Sequence, residues 1–240
     1  MKGRARPVVA IDGPAGSGKS TTARLAAERL GYTYLDTGAM YRAVTLKALR
    51  EGVDVRDADA VARLAAEAEI ELTLQDGVPR VYLDGEDVSD DIRLPEVSRN
   101  IGPVADNPRV REILVARQRE LGRKGGIVAE GRDIGTVVFP DAEVKFFLTA
   151  SPEERARRRM KELAQKGIDH SLEQVRREIE KRDREDVSRP VGALKKAQDA
   201  IELDTTELGI EEQVERVVAV VKAVERQLAG GRGQRRGDSG

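Results

Sequence analysis

The apolar positions of this chain form short buried runs that alternate with longer stretches of helical period. Residues 7–11 are a β-branched run that ends in the turn signal Asp12-Gly13, and the helix that follows is predicted to end at Leu30, before Gly31. Four more strands are predicted at residues 32–35, 127–129, 144–148 and 200–203. Short apolar strands separated by helices are typical of a parallel sheet covered on both faces. The pattern therefore predicts an α/β fold with five strands.

The helices between these strands have recognisable first residues. Asp36 is a suitable N-cap for the second helix, and Asn107, which a proline follows, starts a helix that is predicted to reach Gly125. Capping boxes are predicted at residues 151–154 and 171–174.

The period of the pattern changes once along the chain. Residues 70–74 alternate between apolar and polar side chains, the pair Asp76-Gly77 marks a turn, and residues 81–83 resume the alternation. This predicts a small antiparallel meander. Because the meander interrupts the order of strands and helices, we expect it to be an insertion that extends from the core.

The end of the sequence has a composition of its own. Residues 229–240 are mainly glycine and arginine. Since such a segment cannot bury apolar surface, we predict that the last helix ends near Leu228 and that residues 229–240 are disordered.

Composition excludes several classes of site. The 240 residues contain no cysteine, which rules out disulfides, thiol nucleophiles and cysteine-ligated metals, and the single histidine, His170, argues against a histidine-rich metal site. The net charge of −1 argues against a general nucleic-acid binder and favours a monomer. The apolar runs are far shorter than the roughly 20 residues of a membrane span, and the basic N-terminal residues precede no apolar signal core. We expect a cytoplasmic protein that binds neither nucleic acid nor membranes.

A phosphate-binding motif follows the first predicted strand. Eight residues fit the pattern G-x-x-x-x-G-K-[ST], with a strand before and a helix after them, as the motif requires. The glycines let the backbone wrap around a phosphate, Lys19 would bridge the β- and γ-phosphates, and the Ser20 hydroxyl would bind Mg²⁺. The residues predicted to bind ATP with Mg²⁺ are Gly13, Pro14, Ala15, Gly16, Ser17, Gly18, Lys19, Ser20 and Thr21.

The remaining motifs favour a small-molecule kinase over a motor or a GTPase. None of the predicted strands ends in a plain apolar run followed by a Mg²⁺-binding Asp. Residues 200–203 do end in Asp204, but this strand lies late in the chain and is followed by Thr205-Thr206. The base-reading N-K-x-D of GTPases is absent. Arginines lie instead where predicted strands give way to helices: Arg42, Arg111, Arg132, Arg182 and Arg189. An enzyme that moves a phosphoryl group between two anionic nucleotides needs such cations.

Four blocks of the sequence resemble the bacterial cytidylate kinases. They are residues 13–21, 35–42, 131–140 and 181–189, and the resemblance spans roughly residues 7–225. It implies the P-loop nucleoside monophosphate kinase fold, in which an inserted acceptor-binding domain carries the antiparallel meander. It also implies that ATP phosphorylates CMP or dCMP.

The resemblance implies how the acceptor is held. Arg42 and Arg132 would hold the phosphate of CMP, Thr37 would lie beside the nucleotide, and Arg111 and Asp133 would read the cytosine edge. The full set of implied acceptor-binding residues is Asp36, Thr37, Tyr41, Arg42, Arg111, Gly131, Arg132, Asp133, Arg182, Asp186 and Arg189. Those implied to be catalytic are Lys19, Arg132 and Asp133.

The resemblance also implies a pentose site and a lid. Asp186, with Arg182 and Arg189, would hold the pentose, and Arg158 would contact ATP from a basic helix that resembles the family's lid. A serine often stands in relatives where this chain has Gly102, so the resemblance leaves the detail of cytosine selection open.

The implied organisation has four parts. They are a P-loop core (residues 1–36, 105–150 and 190–228), an acceptor-binding domain (37–104), a lid with its flanking helices (151–189) and the tail (229–240).

Two other functions stay open from the residues alone. A related P-loop kinase could act on UMP, AMP or a non-nucleotide acceptor such as shikimate, although a short shikimate-type kinase would lack the meander. A protein that binds ATP only as a regulator would have no use for the acceptor-side arginines. For the arginines of the basic helix, solvated ion pairs with neighbouring glutamates are the alternative to a contact with ATP.

Overall fold

The computed structural model of this chain describes residues 4–75, 77–165 and 171–235. The chain divides into two compact units, one comprising Met1–Thr33 and Lys124–Gly240, the other Tyr34–Arg123. The strands are β1 (Val8–Asp12), β2 (Thr33–Asp36), β3 (Ile70–Gln75), β4 (Val78–Leu83), β5 (Glu86–Asp87), β6 (Ile127–Gly131), β7 (Val144–Thr149) and β8 (Ile201–Asp204). The α-helices are α1 (Lys19–Leu30), α2 (Thr37–Arg50), α3 (Ala58–Glu67), α4 (Pro95–Asp106), α5 (Pro108–Leu121), α6 (Pro152–Gln165), α7 (Leu172–Ser188) and α8 (Ile210–Arg235).

The chain contains a five-stranded sheet in the order β2-β6-β1-β7-β8, of which β1, β6, β7 and β8 belong to the first unit. β1 pairs in parallel with both β6 and β7, which places Asp12 opposite Gly131 on one side and Phe147 on the other. Val8, Val9, Ala10 and Ile11 are fully buried because β1 is covered on both faces. The predicted five-stranded α/β fold is therefore confirmed, and the carboxyl ends of these strands meet at one edge of the sheet.

Helix α8 packs against α1 through a buried valine face made by Val214, Val217 and Val221. The helix continues through Arg235, so its predicted end near Leu228 is wrong. Each residue added to an existing helix gains a backbone hydrogen bond, which here outweighs the weak helical preference of glycine. The rest of the predicted disordered tail, residues 236–240, lies outside the described residues.

Helix α5 ends earlier than predicted. It stops at Leu121, before Gly122, and Gly125 serves a different purpose. A Cβ atom at Gly125 would lie 2.0 Å from the carbonyl oxygen of Arg6, and φ at Gly125 is 72°. Glycine is needed there because two backbone segments approach closely, not because a helix ends.

The second unit contains the predicted meander, which is confirmed. Strands β3, β4 and β5 form a three-stranded antiparallel sheet in that order. Apolar side chains of this sheet, including Val81 and Leu83, pack in one cluster with Ala43 and Leu46 of α2. Helix α5 packs on α3 and α4 and so lies in this unit, whereas the sequence placed residues 105–123 in the core.

Of the two predicted capping boxes, the structure shows one. At Ser171 both reciprocal hydrogen bonds with Gln174 are present. At Ser151 the hydroxyl accepts from the amide of Glu154, but the Ser151 amide donates to Thr206 Oγ1 at 2.9 Å. The Glu154 carboxylate binds arginines of its own helix instead, so the prediction of a full box there is wrong.

No helix in the described part of the chain combines the length and the apolar character that crossing a membrane requires.

Candidate active site

The predicted phosphate loop links β1 to α1 at the carboxyl edge of the sheet. Its first residue, Gly13, lies directly against β7. A Cβ atom there would be 2.2 Å from the carbonyl oxygen of Leu148, and φ is 153°. Only glycine fits this position without moving the strand.

The loop opens onto the N-terminus of α1. The cap residue is Gly18, which has no side chain to satisfy the first amides of the helix, so these amides and the helix dipole form an anion site. Lys19 Nζ and Ser17 Oγ both donate to the carbonyl of Pro14, at 3.3 and 2.9 Å. Ser20, in the first turn of α1, is exposed. The loop thus has the chemistry to bind phosphate.

Two side chains that the sequence analysis did not single out support this loop. Thr205, after β8, is fully buried, and its hydroxyl lies 2.9 Å from the carbonyl oxygen of Ser17. Gln213, on α8, accepts a hydrogen bond from Thr22 at 2.9 Å. No local sequence pattern predicts either contact, because the two residues that each contact joins are far apart in the sequence.

Helix α6 presents two of its arginines to the phosphate loop. Arg158 donates to the Thr205 carbonyl at 2.6 Å and to Gly16 at 3.5 Å, and it pairs with Glu154. Arg155 is buried, and its Nη1 lies 3.4 Å from the carbonyl oxygen of Ala15. Both guanidinium groups therefore lie at the loop that would carry the donor phosphates.

The two other arginines of this helix are solvated. The side chain of Arg157 is 69% exposed and pairs with Glu154, while Arg159 pairs with Glu162. The surface alternative thus describes Arg157 and Arg159, whereas the side chains of Arg155 and Arg158 contact the loop.

An acidic residue of α7 forms ion pairs with two arginines that are predicted to bind the acceptor nucleotide. Asp186 is buried, and its Oδ2 lies 2.5 Å from Nε of Arg132, which follows β6. Its Oδ1 lies 3.4 Å from Nε of Arg189. Within the described residues the Asp186 oxygens have no aligned hydrogen-bond donor, so these contacts are ion pairs. Arg182 lies exposed on the same helix.

A second acidic residue of α7, Asp183, pairs with Arg155 of α6. Asp183 Oδ2 lies 2.7 Å from Arg155 Nη1. Helix α7 therefore holds an arginine of the phosphate-loop side through Asp183 and arginines of the acceptor side through Asp186.

The segment after Arg132 forms a single turn of π-helix, Ile134–Val138, which the sequence did not predict. Asp133, buried at the start of this turn, accepts from the amides of Val137 and Val138 through its backbone carbonyl. Single π-turns are frequent at functional sites.

The carboxylate of Asp12 binds the start of this turn. Its two oxygens accept from the amides of Ile134 and Gly135, each at 2.8 Å. Burial raises the pKa of Asp12 to about 7, and the nearby charge of Asp133 acts in the same direction, while the two amides and Lys19 oppose the shift.

Asp12 corrects an expectation from the sequence. β1 reads Val-Val-Ala-Ile-Asp, so this strand ends in a plain apolar run followed by Asp, which the sequence analysis did not recognise. The signal was present, but it was interpreted as part of a turn. The structure shows Asp12 paired within the sheet.

The second unit holds the other predicted acceptor residues. Arg111 is buried, and its guanidinium carbon lies 5.6 Å from the ring centre of Tyr41, within the range of a cation–π contact. Arg42 donates to Ser98 Oγ at 2.9 Å and to the carbonyl of Ile92. The remaining predicted residues of this unit are Asp36, which caps α2 by accepting from the Ala39 amide, and Thr37, which is buried.

Comparison with known proteins identifies the family. The cytidylate kinase family model matches residues 9–223. The cytidylate kinase of Pelotomaculum thermopropionicum is 54% identical over 222 residues, which cover 92% of this chain and 98% of that protein. The cytidylate kinase of Bacillus cereus (strain ATCC 10987) is 50% identical over 216 residues, covering 90% of this chain and 96% of the relative. Among solved structures, TT1252 from Thermus thermophilus aligns with a TM-score of 0.47 and 25% identity, covering 91% of this chain and 97% of its own. The resemblance seen in the sequence blocks is confirmed: this chain belongs to the cytidylate kinase family and is a phosphotransferase of the (d)CMP kinase type.

Proposed function

We propose that this chain transfers the γ-phosphoryl group of ATP to CMP or dCMP in one in-line step. The observation that carries the proposal is the first unit's pairing of a phosphate loop with buried or partly buried arginines. Helix amides, Lys19, Arg155 and Arg158 lie at the loop, and Arg132 and Arg189 lie at Asp186. Such an array neutralises the phosphate charges that the reaction brings together.

The donor phosphates bind at the loop. The amides at the start of α1 point at the β-phosphate, and Lys19 exchanges its contact with the Pro14 carbonyl for the terminal phosphates. Arg158 approaches from α6, which belongs to the proposed lid of residues 151–189. Closing the lid removes water, which strengthens every charge interaction in the site.

The acceptor phosphate is assigned to Arg132 of the first unit and, from the family resemblance, to Arg42 of the second unit. Arg132 is oriented by its ion pair with Asp186, and Arg42 by its hydrogen bond to Ser98. A guanidinium group can bind two phosphate oxygens at once, which fixes the direction of attack.

The base and the sugar of the acceptor bind separate groups. For the cytosine edge, Asp133 of the first unit is proposed as the acceptor and Arg111 of the second unit as the donor. Within the second unit, Tyr41 stacks on Arg111. Asp186 accepts from the pentose hydroxyls, with Arg182 and Arg189 supplying positive charge. The buried carboxylate of Asp186 lies between Arg132 and Arg189 and offers oxygen atoms that can accept these hydrogen bonds.

The residues of the loop fit a Mg²⁺ ion. Mg²⁺ prefers oxygen ligands and keeps several waters, binding through few protein groups and the substrate phosphates. The exposed hydroxyl of Ser20 is one such oxygen, placed where the donor phosphates would lie. When bound, the ion neutralises phosphate charge during transfer.

The protein does not need a general base for this reaction, because the acceptor phosphate is already an anion. Its contribution is to position both nucleotides and to surround them with positive charge. We further propose that the protein works in the cytoplasm as a monomer, which is consistent with its even charge balance.

A coupled assay of ADP release tests the proposal. With Mg·ATP, we expect rapid turnover of CMP and dCMP, weaker turnover of UMP, and negligible turnover of AMP, GMP and shikimate. Lys19→Ala should lower kcat by roughly a hundredfold or more with an unchanged circular dichroism spectrum. Lys196→Ala, which removes an exposed lysine paired with Glu202, is the matched control and should leave kcat within about twofold. Turnover of a different acceptor would overturn the assigned base contacts, and near-normal activity of Lys19→Ala would overturn the donor site.

A further inference from the structure

We infer that Asp12 is a positioning residue that holds Arg132 and Asp133 in place for the acceptor nucleotide. Asp12 lies at the end of β1, immediately before the phosphate loop, and is 3% exposed. The proposed reaction does not use this buried carboxyl group.

Asp12 contacts the residues on both sides of the segment that carries Arg132 and Asp133. In the sheet its backbone is paired with Gly131, the residue before this segment. Its carboxylate accepts from Ile134 and Gly135, the two residues after it, at 2.8 Å each. Two proposed acceptor residues are therefore bracketed by contacts to one residue of the phosphate-loop strand.

The chemistry of the contact requires a carboxylate. Both oxygens accept a backbone amide, and an ionised carboxyl group is the smallest side chain with two acceptors and no donor. Burying such a group is costly unless it is fully hydrogen-bonded. An apolar or singly accepting side chain would leave at least one buried amide without a partner.

The surroundings of Asp12 contain few charges. Asp133 and Lys19 act on it with opposite signs, and Lys145 lies beside Gly135 with its ammonium group bound to Asp199. The residues paired with Asp12 on the adjacent strands, Gly131 and Phe147, are uncharged. The raised pKa of Asp12, about 7, follows from this burial.

The inference rests on the proposed acceptor role of Arg132 and Asp133, and Asp12→Asn tests it. The asparagine side chain is of equal size but has one oxygen and one NH₂ group. One of the two hydrogen bonds to the backbone is therefore lost, and there the side-chain NH₂ group faces a backbone N–H group. We expect kcat/KM for CMP to fall about tenfold or more, while the Kd of Mg·ATP, titrated without CMP, stays within about twofold.

The pH dependence of kcat/KM distinguishes a positioning role of the Asp12 carboxylate from a role in packing alone. Protonation of Asp12 in the unchanged protein removes the same contact that the amide removes. The ratio of kcat/KM for CMP between the unchanged protein and Asp12→Asn should therefore be near one at pH 5.5 and should rise through pH 7. The acceptor phosphate titrates near pH 6, but it does so in both proteins and cancels in the ratio.

A second variant keeps the test valid if Asp12→Asn does not fold. A Cβ atom at Gly135 would lie 3.3 Å from Asp12 Oδ2 and 3.2 Å from Lys145 Cδ, so Gly135→Ala presses on the contact without removing a charge. It should lower kcat/KM for CMP at least threefold. Asp199→Asn, which removes an exposed carboxylate from Lys145 nearby, is the control and should leave kcat/KM within about twofold.

The outcomes distinguish the inference from the proposed function. A folded Asp12→Asn protein with kcat/KM for CMP within twofold of the original would overturn the inference, as would an equal loss of ATP affinity or a ratio that does not change with pH. If the unaltered chain fails to phosphorylate CMP, the proposed function itself is wrong.

Discussion

Arg132 Nε and Asp186 Oδ2 lie 2.5 Å apart, joining the end of β6 to α7. This pair orients an arginine that we assign to the acceptor phosphate. Arg132→Ala should lower kcat/KM for CMP by roughly a hundredfold, because removing one donor aimed at a reacting oxygen costs about that much. The Kd of ATP should change little. Separate calorimetric titrations of ATP and CMP check this, and equal losses for both nucleotides would contradict the assignment.

The same pair contributes to stability. Asp186→Asn would leave Arg132 and Arg189 close to each other without the buried charge that compensates them. Removing one member of a buried pair is strongly destabilising, but both arginines are partly exposed, so we expect a loss of about 2 kcal/mol. Urea denaturation monitored by circular dichroism measures the free energy of unfolding. Asp183→Asn, three residues earlier on the helix, is the comparison. Because Asp183 binds Arg155, this variant should weaken the binding of ATP rather than that of CMP.

Two neighbouring arginines of α6 make a matched pair. Arg158 contacts Gly16 and Thr205, while Arg157 is solvated, and both bind Glu154. Arg158→Ala should raise KM for ATP about tenfold, the value of one charge-assisted hydrogen bond. Arg157→Ala should leave KM for ATP within about twofold. Steady-state kinetics at saturating CMP distinguish the two, and similar values for both variants would mean that α6 acts only through its general charge.

The pKa of Asp12 predicts a pH dependence of stability. Since burial raises this pKa from 3.8 to about 7, the folded protein holds the proton more tightly than the unfolded chain. Asp12 therefore makes the folded state less stable as the pH rises from about 4 to 7, and its unfavourable contribution is complete above pH 7. Asp12→Asn has no titrating group at this position, so this pH-dependent contribution to the free energy of unfolding is absent.

The free energy of unfolding of Asp12→Asn, relative to the original protein, should rise across that interval and then level off. Chemical denaturation at pH 4.5, 6 and 8 measures it. A difference that does not depend on pH would show that Asp12 titrates normally.

Local signals made much of the fold predictable. Asp36 and Asn107 cap their helices as expected, because a cap needs only an acceptor side chain and the next few amides. The meander followed from alternation and from turn residues. These features depend on neighbours in the sequence, so one sequence is sufficient to find them.

Several of the missed features depend on distant neighbours. The capping box at Ser151 is incomplete because Thr206, far along the chain, takes its amide. Thr205 and Gln213 support the phosphate loop from after the last strand. The π-turn after Asp133 needs the carboxylate of Asp12 to bind its first amides, so its shape is not encoded in its own residues.

Candidate site residues divide in the same way. The phosphate loop was predictable from one motif, whereas the distinction between Arg158 and Arg157 was not, since both follow the same acidic residues. Only the packing of α6 against the loop separates them.

The two acidic residues of α7 have a mechanical consequence. Asp183 and Asp186 are three residues apart, which places them about 60° from each other around the helix. A slip of the helix by a single residue would turn both carboxylates through about 100° and move them about 1.5 Å along the axis. Arg155 and Arg132 would then lose their partners together. We therefore expect α6, α7 and the Arg132 segment to open as one cooperative block, with backbone amides of similar hydrogen-exchange protection.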